Sequence, residues 1–266
     1  MVKKEQIEMQ EVLKFAVEMG RVLLKNGAEI FRVEETIAHV CHYYNIEGVH
    51  SFILSNGIFV TAENEGEEVF ARVQHVPLSA PHFGIVDGVN NLSREICEGK
   101  ISFVDAKIKL ESIAVRPAKK SYFRIIAAAL GSACFCYLVD ATVVDCFKTF
   151  GIGILLNIFV IFCERHRLSK MIVNTVGGGI VTVLALCICR EGGEIVNASL
   201  DKVIIGSIFS LVPGFAFVNS IRDIANSDIL SGVVKMIDAL LGFVYIAIGV
   251  GTILSIYGGM FGGINI

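Results

Sequence analysis

One stretch of the chain brings polar chemistry into an apolar run. Leu211 and Val212 lead into Pro213-Gly214, and Asn219, Arg222, Asp223, Asn226, Asp228 and Ser231 follow in close succession. Pro213 has no N–H, so the carbonyl of Phe209 loses its helical partner, and Gly214 loosens the backbone beside it. At membrane depth such backbone persists only where protein or a water-filled cavity satisfies it. On a helix, Asn219 and Asp223 share one face and Arg222 and Asn226 another. The adjacent charges Arg222 and Asp223 diverge, so each needs its own partner. A broken helix followed by convergent polar groups is the pattern of a solute path. Arg222 offers a cation to a carboxylate. Asp223 offers an acid for ion coupling or a partner for Arg222, and Asn219 a hydrogen bond to either. A Pro-kinked helix that ends in an ordinary polar loop is the competing reading.

The elements that must position this stretch are membrane elements. The 266 residues are 54% hydrophobic, with a mean hydropathy of +0.66, above an ordinary soluble domain. Five apolar segments, about 123–139, 149–163, 171–189, 203–218 and 237–257, each approach the roughly 20 residues a bilayer crossing needs. The second is short and borrows Cys146–Lys148, with Lys148 expected to snorkel outward. The fourth is short because of the Pro213-Gly214 break. Arg116, Lys119, Lys120 and Arg124 precede the first segment, Arg165, Arg167 and Lys170 follow the second, and Arg222 and Lys235 follow the fourth. The opposite loops hold Lys148, Arg190 and Lys202 against Asp140, Asp145, Glu191, Glu194 and Asp201. The positive-inside rule then predicts a multi-pass protein of the plasma (inner) membrane, amino terminus cytoplasmic and carboxyl terminus external. The Asn219–Gly232 region falls at the cytoplasmic mouth. Gly177-Gly178-Gly179, Gly242, Gly249 and Gly251 mark close helix approach, and Gly258–Gly262 and Gly259–Gly263 repeat small-x-x-x-small spacing. Five spans make a thin bundle for enclosing a path, so a second unit, of this chain or another, is expected to complete it.

Residues 1–120 read as a small cytoplasmic α+β domain, ahead of the membrane domain of residues 121–266. They hold 14 Lys/Arg against 17 Asp/Glu, so the net charge of −3 belongs to this part. Helices are predicted over Glu5–Lys25, Ala28–Tyr44, Pro81–Glu98 and Ser102–Val115, with Asn26-Gly27 ending the first and Ser102 capping the fourth. Between them the period changes to strand. Val49–Leu54 and Ile58–Ala62 flank Asn56-Gly57, a hairpin signal, and Val69–Val76 follows the acidic turn Glu63–Glu68. The expected sheet is three-stranded and antiparallel.

The rest of the composition narrows the function. No Gly-rich phosphate loop, nucleophile elbow or H-E-x-x-H motif occurs, so no catalytic residue, cofactor or direct ATP use is expected. Cys134, Cys136, Cys163, Cys187 and Cys189 lie in or beside apolar runs, where Cys acts as a small hydrophobe, and no C-x-x-C pair suggests zinc. His39 and His42 have the spacing to share a metal, but a solvated helix face explains them far better, and no metal site is assigned. Neither half has the basic excess of a nucleic-acid binder.

Leu211-Val212-Pro213-Gly214, Asn219-x-x-Arg222-Asp223 and Ser231-Gly232-x-x-Lys235 resemble the signature of the threonine/serine exporter family, most closely its split, YjjP-type subunits. The amino-terminal part agrees, through Gly27-Ala28 with Arg32-Val33-Glu34, Asn56-Gly57-Ile58, and Asn90 and Ser93 before a helix. The resemblance runs from about Val12 to Val250. It implies export of small amino acids such as threonine and serine or, in the split form, of dicarboxylates such as succinate. It also implies that this chain is similar to one half of a fused ten-span exporter and works with a smaller membrane partner. The family usually has Gly where this chain has Asn226 or Ser227, and Arg where it has Lys235. Lys keeps the charge but loses the bidentate fork. The runner-up reading is a membrane-anchored regulatory or scaffolding protein, whose spans would not need the Pro-Gly break. A membrane hydrolase using Asp223 or Asp228 lacks a paired nucleophile and base.

Overall fold

A computed structural model describes residues 8–63, 69–76, 81–117, 120–191, 194–195 and 197–261. Most of the acidic turn, Lys119, and Gly262 and Gly263 lie outside the described residues. The chain divides into two compact units, one of residues 1–118 with 218–236, the other of residues 119–217 with 237–266.

The first unit is α+β. Helix α1, Met9–Lys25, buries Leu13, Ala16, Gly20, Leu23 and Leu24, the stripe its spacing predicts. It stops where Asn26 Nδ2 donates to the Val22 carbonyl at 2.7 Å and Gly27 takes a φ of 86°, a left-handed turn that glycine adopts without steric cost. Helix α2, Ile30–Tyr43, buries Ile30, Val33, Ile37 and Val40. Strands β1 (Val49–Leu54), β2 (Gly57–Glu63) and β3 (Val69–His75) form the three-stranded antiparallel sheet in sequence order. Ile53, Ile58, Val60 and Ala62 face the shared core, and Phe52 pairs with Phe59 on the opposite, exposed face. The hairpin corrects one expectation. Leu54 pairs with Gly57, so the turn residues are Ser55-Asn56 rather than Asn56-Gly57. The Asn56 carbonyl accepts from the Val76 N–H at 2.8 Å, and Gly57 is drawn into the ladder opposite His75. Helices α3 (Phe83–Cys97) and α4 (Phe103–Ala114) close the core, with the Ser102 hydroxyl capping α4 by accepting from the Asp105 N–H at 3.2 Å.

The second unit is helical. Helices α5 (Ser121–Leu138), α6 (Val143–Arg165) and α7 (Lys170–Ile188) are each long and apolar enough to cross a bilayer, as is α10 (Ile229–Phe261). Short strands β4 (Arg190–Glu191) and β5 (Glu194–Ile195) follow α7. Among the described residues four such helices are therefore found, not five. The expected fourth span over 203–218 is divided into α8 (Asn197–Ile208) and α9 (Gly214–Ala225). Each has 12 residues and is thus about 18 Å long, short of a roughly 30 Å hydrocarbon core. The cause is Pro213, which removes an N–H just where α8 would continue. The unit's core gathers Ile152, Leu156, Val181, Ala185, Val203 and Ile246. Gly177, Gly178, Gly242 and Gly249 pack closely, as their spacing suggests. A Cβ on Gly251, Gly258 or Gly259 would meet no heavy atom within 4 Å, so these three do not mark a close approach among the described residues. A Cβ on Gly178 would lie 2.8 Å from the Ile246 carbonyl oxygen, and one on Gly249 2.0 Å from that of Thr175. Lys148 lies 3.5 Å from Asp145, one turn nearer the start of α6, and Asp145 is only 3% exposed and completes a capping box with Thr142. That cap starts α6 earlier than the apolar run, at Val143.

Candidate functional site

The break is a real interruption of the backbone. The Leu211 N–H donates to Ile208 at 2.9 Å, Val212 to Phe209 at 3.3 Å and Gly214 to Val212 at 2.8 Å, all tighter than helical spacing. Phe209 therefore recovers a donor three residues on. Helical bonding resumes when the Phe217 N–H donates to the Pro213 carbonyl at 3.0 Å. Pro213 lies against Gly242, where a Cβ would meet its Cγ at 3.1 Å.

Helix α9 then presents its two polar faces as its period requires. Asn219, Ser220 and Asp223 are buried, while Arg222 and Asn226 are exposed. The helix ends in a left-handed turn. Ser227 has a φ of 72°, and the Asp228 N–H donates back to the Asp223 carbonyl at 2.9 Å. This is the geometry that favours glycine at a helix end, and it falls on Ser227, one of the two positions where the family signature usually has Gly. Helix α10 starts beside it. Ser231 is 3% exposed, and a Cβ on Gly232 would fall 2.8 Å from the Ser220 carbonyl oxygen.

Within the first unit the two adjacent charges find separate partners. Asp223 Oδ2 accepts from Lys235 Nζ at 2.7 Å, with side-chain exposures of 1% and 16%. Asp223 Oδ1 is buried and has no hydrogen-bond partner among the described residues. Arg222 pairs with Glu29, the residue that precedes α2. Glu29 is 11% exposed in that pair and Arg222 53%. Glu29 also lies 3.4 Å from Arg32 Nε. Asp223 thus holds Lys235 rather than Arg222. Asn219 makes no side-chain hydrogen bond among the described residues, so it binds neither charge here. Asp228 is half-buried, and burial raises its carboxyl above the ordinary range, with Asp223 adding to the rise and Lys235 opposing it. Burial likewise raises the Glu34 carboxyl, reinforced by Asp228 and opposed by a hydrogen bond from the Ile53 backbone.

Pro213 and Gly214 thus lie at the break itself, and Asn219, Arg222, Asp223, Asn226, Asp228 and Ser231 on the two helices that follow. Sequence reasoning missed Glu29. Its one signal was an acid three residues before Arg32, at the start of a predicted helix. His39 and His42, the spaced histidines of α2, are both exposed.

Comparison with known proteins bears on the whole chain. Residues 14–257 match the model of a family described as "Putative threonine/serine exporter". The "Probable succinate transporter subunit YjjP" of Klebsiella aerogenes is 22% identical over 276 residues, covering 94% of this chain and 96% of that protein. The protein of the same name from Escherichia coli K12 is 23% identical over 278 residues, with the same coverage of both. No solved structure matches the chain. A family match over nearly its full length, together with several bilayer-length apolar helices, makes this chain a multi-pass membrane protein of the threonine/serine exporter family.

Proposed function

We propose that the chain is a non-enzymatic subunit of a secondary-active exporter of small amino acids or dicarboxylates, with Pro213–Ser231 as its substrate and ion path. The observation that carries this reading is the pair of ion pairs on α9, Arg222–Glu29 and Asp223–Lys235, immediately after the break in an apolar segment. Arg222 receives a substrate carboxylate, and Asp223 couples ion movement through its contact with Lys235. Phe215, Ala216 and Phe217 line the apolar side. The relatives' printed names support a subunit role and a carboxylate substrate. A smaller membrane partner, or a second copy of this chain, completes the path.

Topology follows from parity. Residues 218–236 belong to the same compact unit as residues 1–118, so a cytoplasmic amino-terminal domain keeps them cytoplasmic. Crossings by α5, α6 and α7 leave the chain outside. The segment of α8, the break and the start of α9 must then cross inward as two half-helices. Helix α10 crosses last, for five crossings and an external carboxyl terminus. Reporters at the two termini should read cytoplasmic and external, and reporters on one side would end this reading.

The functional test is efflux of succinate and of threonine from loaded cells, normalised to protein in the membrane. Arg222→Ala and Asp223→Ala should each abolish efflux, whereas Glu47→Ala, at an exposed position, should not. Asp223→Asn keeps shape without charge and should lose the pH dependence of efflux. Normal export by both alanine variants would reduce the stretch to a kinked helix and its loop.

A further inference from the structure

We infer that Glu29 is a built-in stand-in for the substrate carboxylate, so that the amino-terminal domain occupies Arg222 until substrate displaces it. The inference rests on the proposed role of Arg222.

Local structure does not explain why Glu29 is buried. It stands at the N-cap of α2 but makes no capping hydrogen bond with its side chain, and Glu is not among the residues that favour that position. Its carboxylate is turned instead to two arginines, Arg222 and Arg32. The cations of the α9–α10 segment differ in availability. Lys235 is 16% exposed and committed to Asp223, whereas Arg222 is 53% exposed. An anion arriving from water therefore reaches Arg222 first and finds a carboxylate already there. Any substrate of the proposed class carries the same group, so the two compete for one guanidinium.

The exchange has a low barrier in electrostatic terms. Removing one partner of a buried ion pair is costly because the other charge is stranded. Glu29 is not stranded when Arg222 leaves it, because Arg32 remains at 3.4 Å from the same carboxylate. Arg222 in turn exchanges one carboxylate for another. The swap also releases the side-chain link between α2 and α9, which gives the soluble domain a direct report of substrate arrival. If Glu29 holds Arg222 nine-tenths of the time or more, apparent affinity for substrate is about tenfold or more below intrinsic affinity.

The test is equilibrium binding of radiolabelled succinate and, separately, threonine to isolated membranes containing the full chain, with membranes lacking it as blank. Glu29→Gln removes the competing charge and should tighten binding about tenfold, or reveal binding where wild type has none. Glu29→Gln/Arg222→Ala should lose that gain. Glu29→Asp keeps a competing carboxylate and should bind like wild type, which separates competition from loss of folding. Unchanged, weaker or absent binding in Glu29→Gln overturns the inference. It leaves the role of Arg222 standing if Arg222→Ala in the wild-type background abolishes binding. Binding indifferent to Arg222→Ala overturns both readings, because the site then lies elsewhere.

Discussion

Lys235→Met isolates the energetic weight of the charge pair behind the helix break. Lys235 Nζ and Asp223 Oδ2 lie 2.7 Å apart, and Asp223 is 1% exposed. Two unit charges at that separation attract by about 6 kcal/mol at an effective dielectric near 20. Part of this is offset by the desolvation of both groups, so the pair itself adds little net stability. Removing one partner is a different matter, because the desolvation of the other remains. Met fills the space of the Lys stem but leaves Asp223 with no charge partner, and its Oδ1 already lacks a hydrogen bond among the described residues. The expected loss is about 3–5 kcal/mol, or roughly two to nearly four decades in a local opening equilibrium.

Hydrogen exchange of the full chain in lipid, read on peptides from residues 218–236 and from α1, measures that opening directly. The α9–α10 peptides should exchange about two to four decades faster in Lys235→Met. Lys235→Met/Asp223→Leu should recover most of the protection, because no charge is left buried. Lys235→Arg should stay near wild type in stability, since it keeps the charge. Less than a tenfold acceleration in Lys235→Met, or no recovery in the double variant, would refute the claim that a stranded carboxylate sets the cost.

Three further outcomes are expected. Ser227→Gly relieves a left-handed φ of 72° and should stabilise the α9–α10 turn by about 0.5–1 kcal/mol, seen as slower exchange at residues 225–230. Gly232→Ala places a Cβ 2.5 Å from Ile224 Cγ1 and 2.8 Å from the Ser220 carbonyl oxygen, and should cost about 1–3 kcal/mol with a matching fall in thermal midpoint. The raised carboxyls of Glu34 and Asp228 bind protons more tightly folded than unfolded, so their contribution grows as pH falls from their folded pKa toward the ordinary carboxylate range near 4. Glu34→Gln and Asp228→Asn should each flatten that rise in a thermal melt from pH 7 to pH 4, and an unaltered pH profile would contradict the assignment.

What was legible in the sequence was local. The stripe Leu13, Ala16, Gly20, Leu23 and Leu24 fixed α1 because a helix period depends on neighbours a few residues away, and Ser102 marked its own cap. The Pro213-Gly214 break was legible for the same reason: a missing N–H acts on the next turn regardless of tertiary context. The hairpin was placed correctly but its turn was not, because the bond from Val76 to the Asn56 carbonyl comes from the residue just after the third strand, which no two-residue signal contains.

The site shows where this limit falls. That Arg222 and Asp223 diverge follows from helix geometry, so the need for two partners was visible in the sequence. Lys235 lies one helix away along the chain and was within reach of that reasoning, although the signature pointed to it for its type rather than as a partner. Glu29 lies 193 positions from Arg222, and only the fold brings the two together. A charge whose partner is that distant carries no mark in the neighbouring sequence, and Glu29 was passed over. Its burial and its idle N-cap position become informative only once Arg222 is beside it. The part of the site that sequence alone could not supply is therefore the pairing of Glu29 with Arg222 inside the first unit. That link is also where a carboxylate substrate and the protein's own carboxylate would meet at one guanidinium.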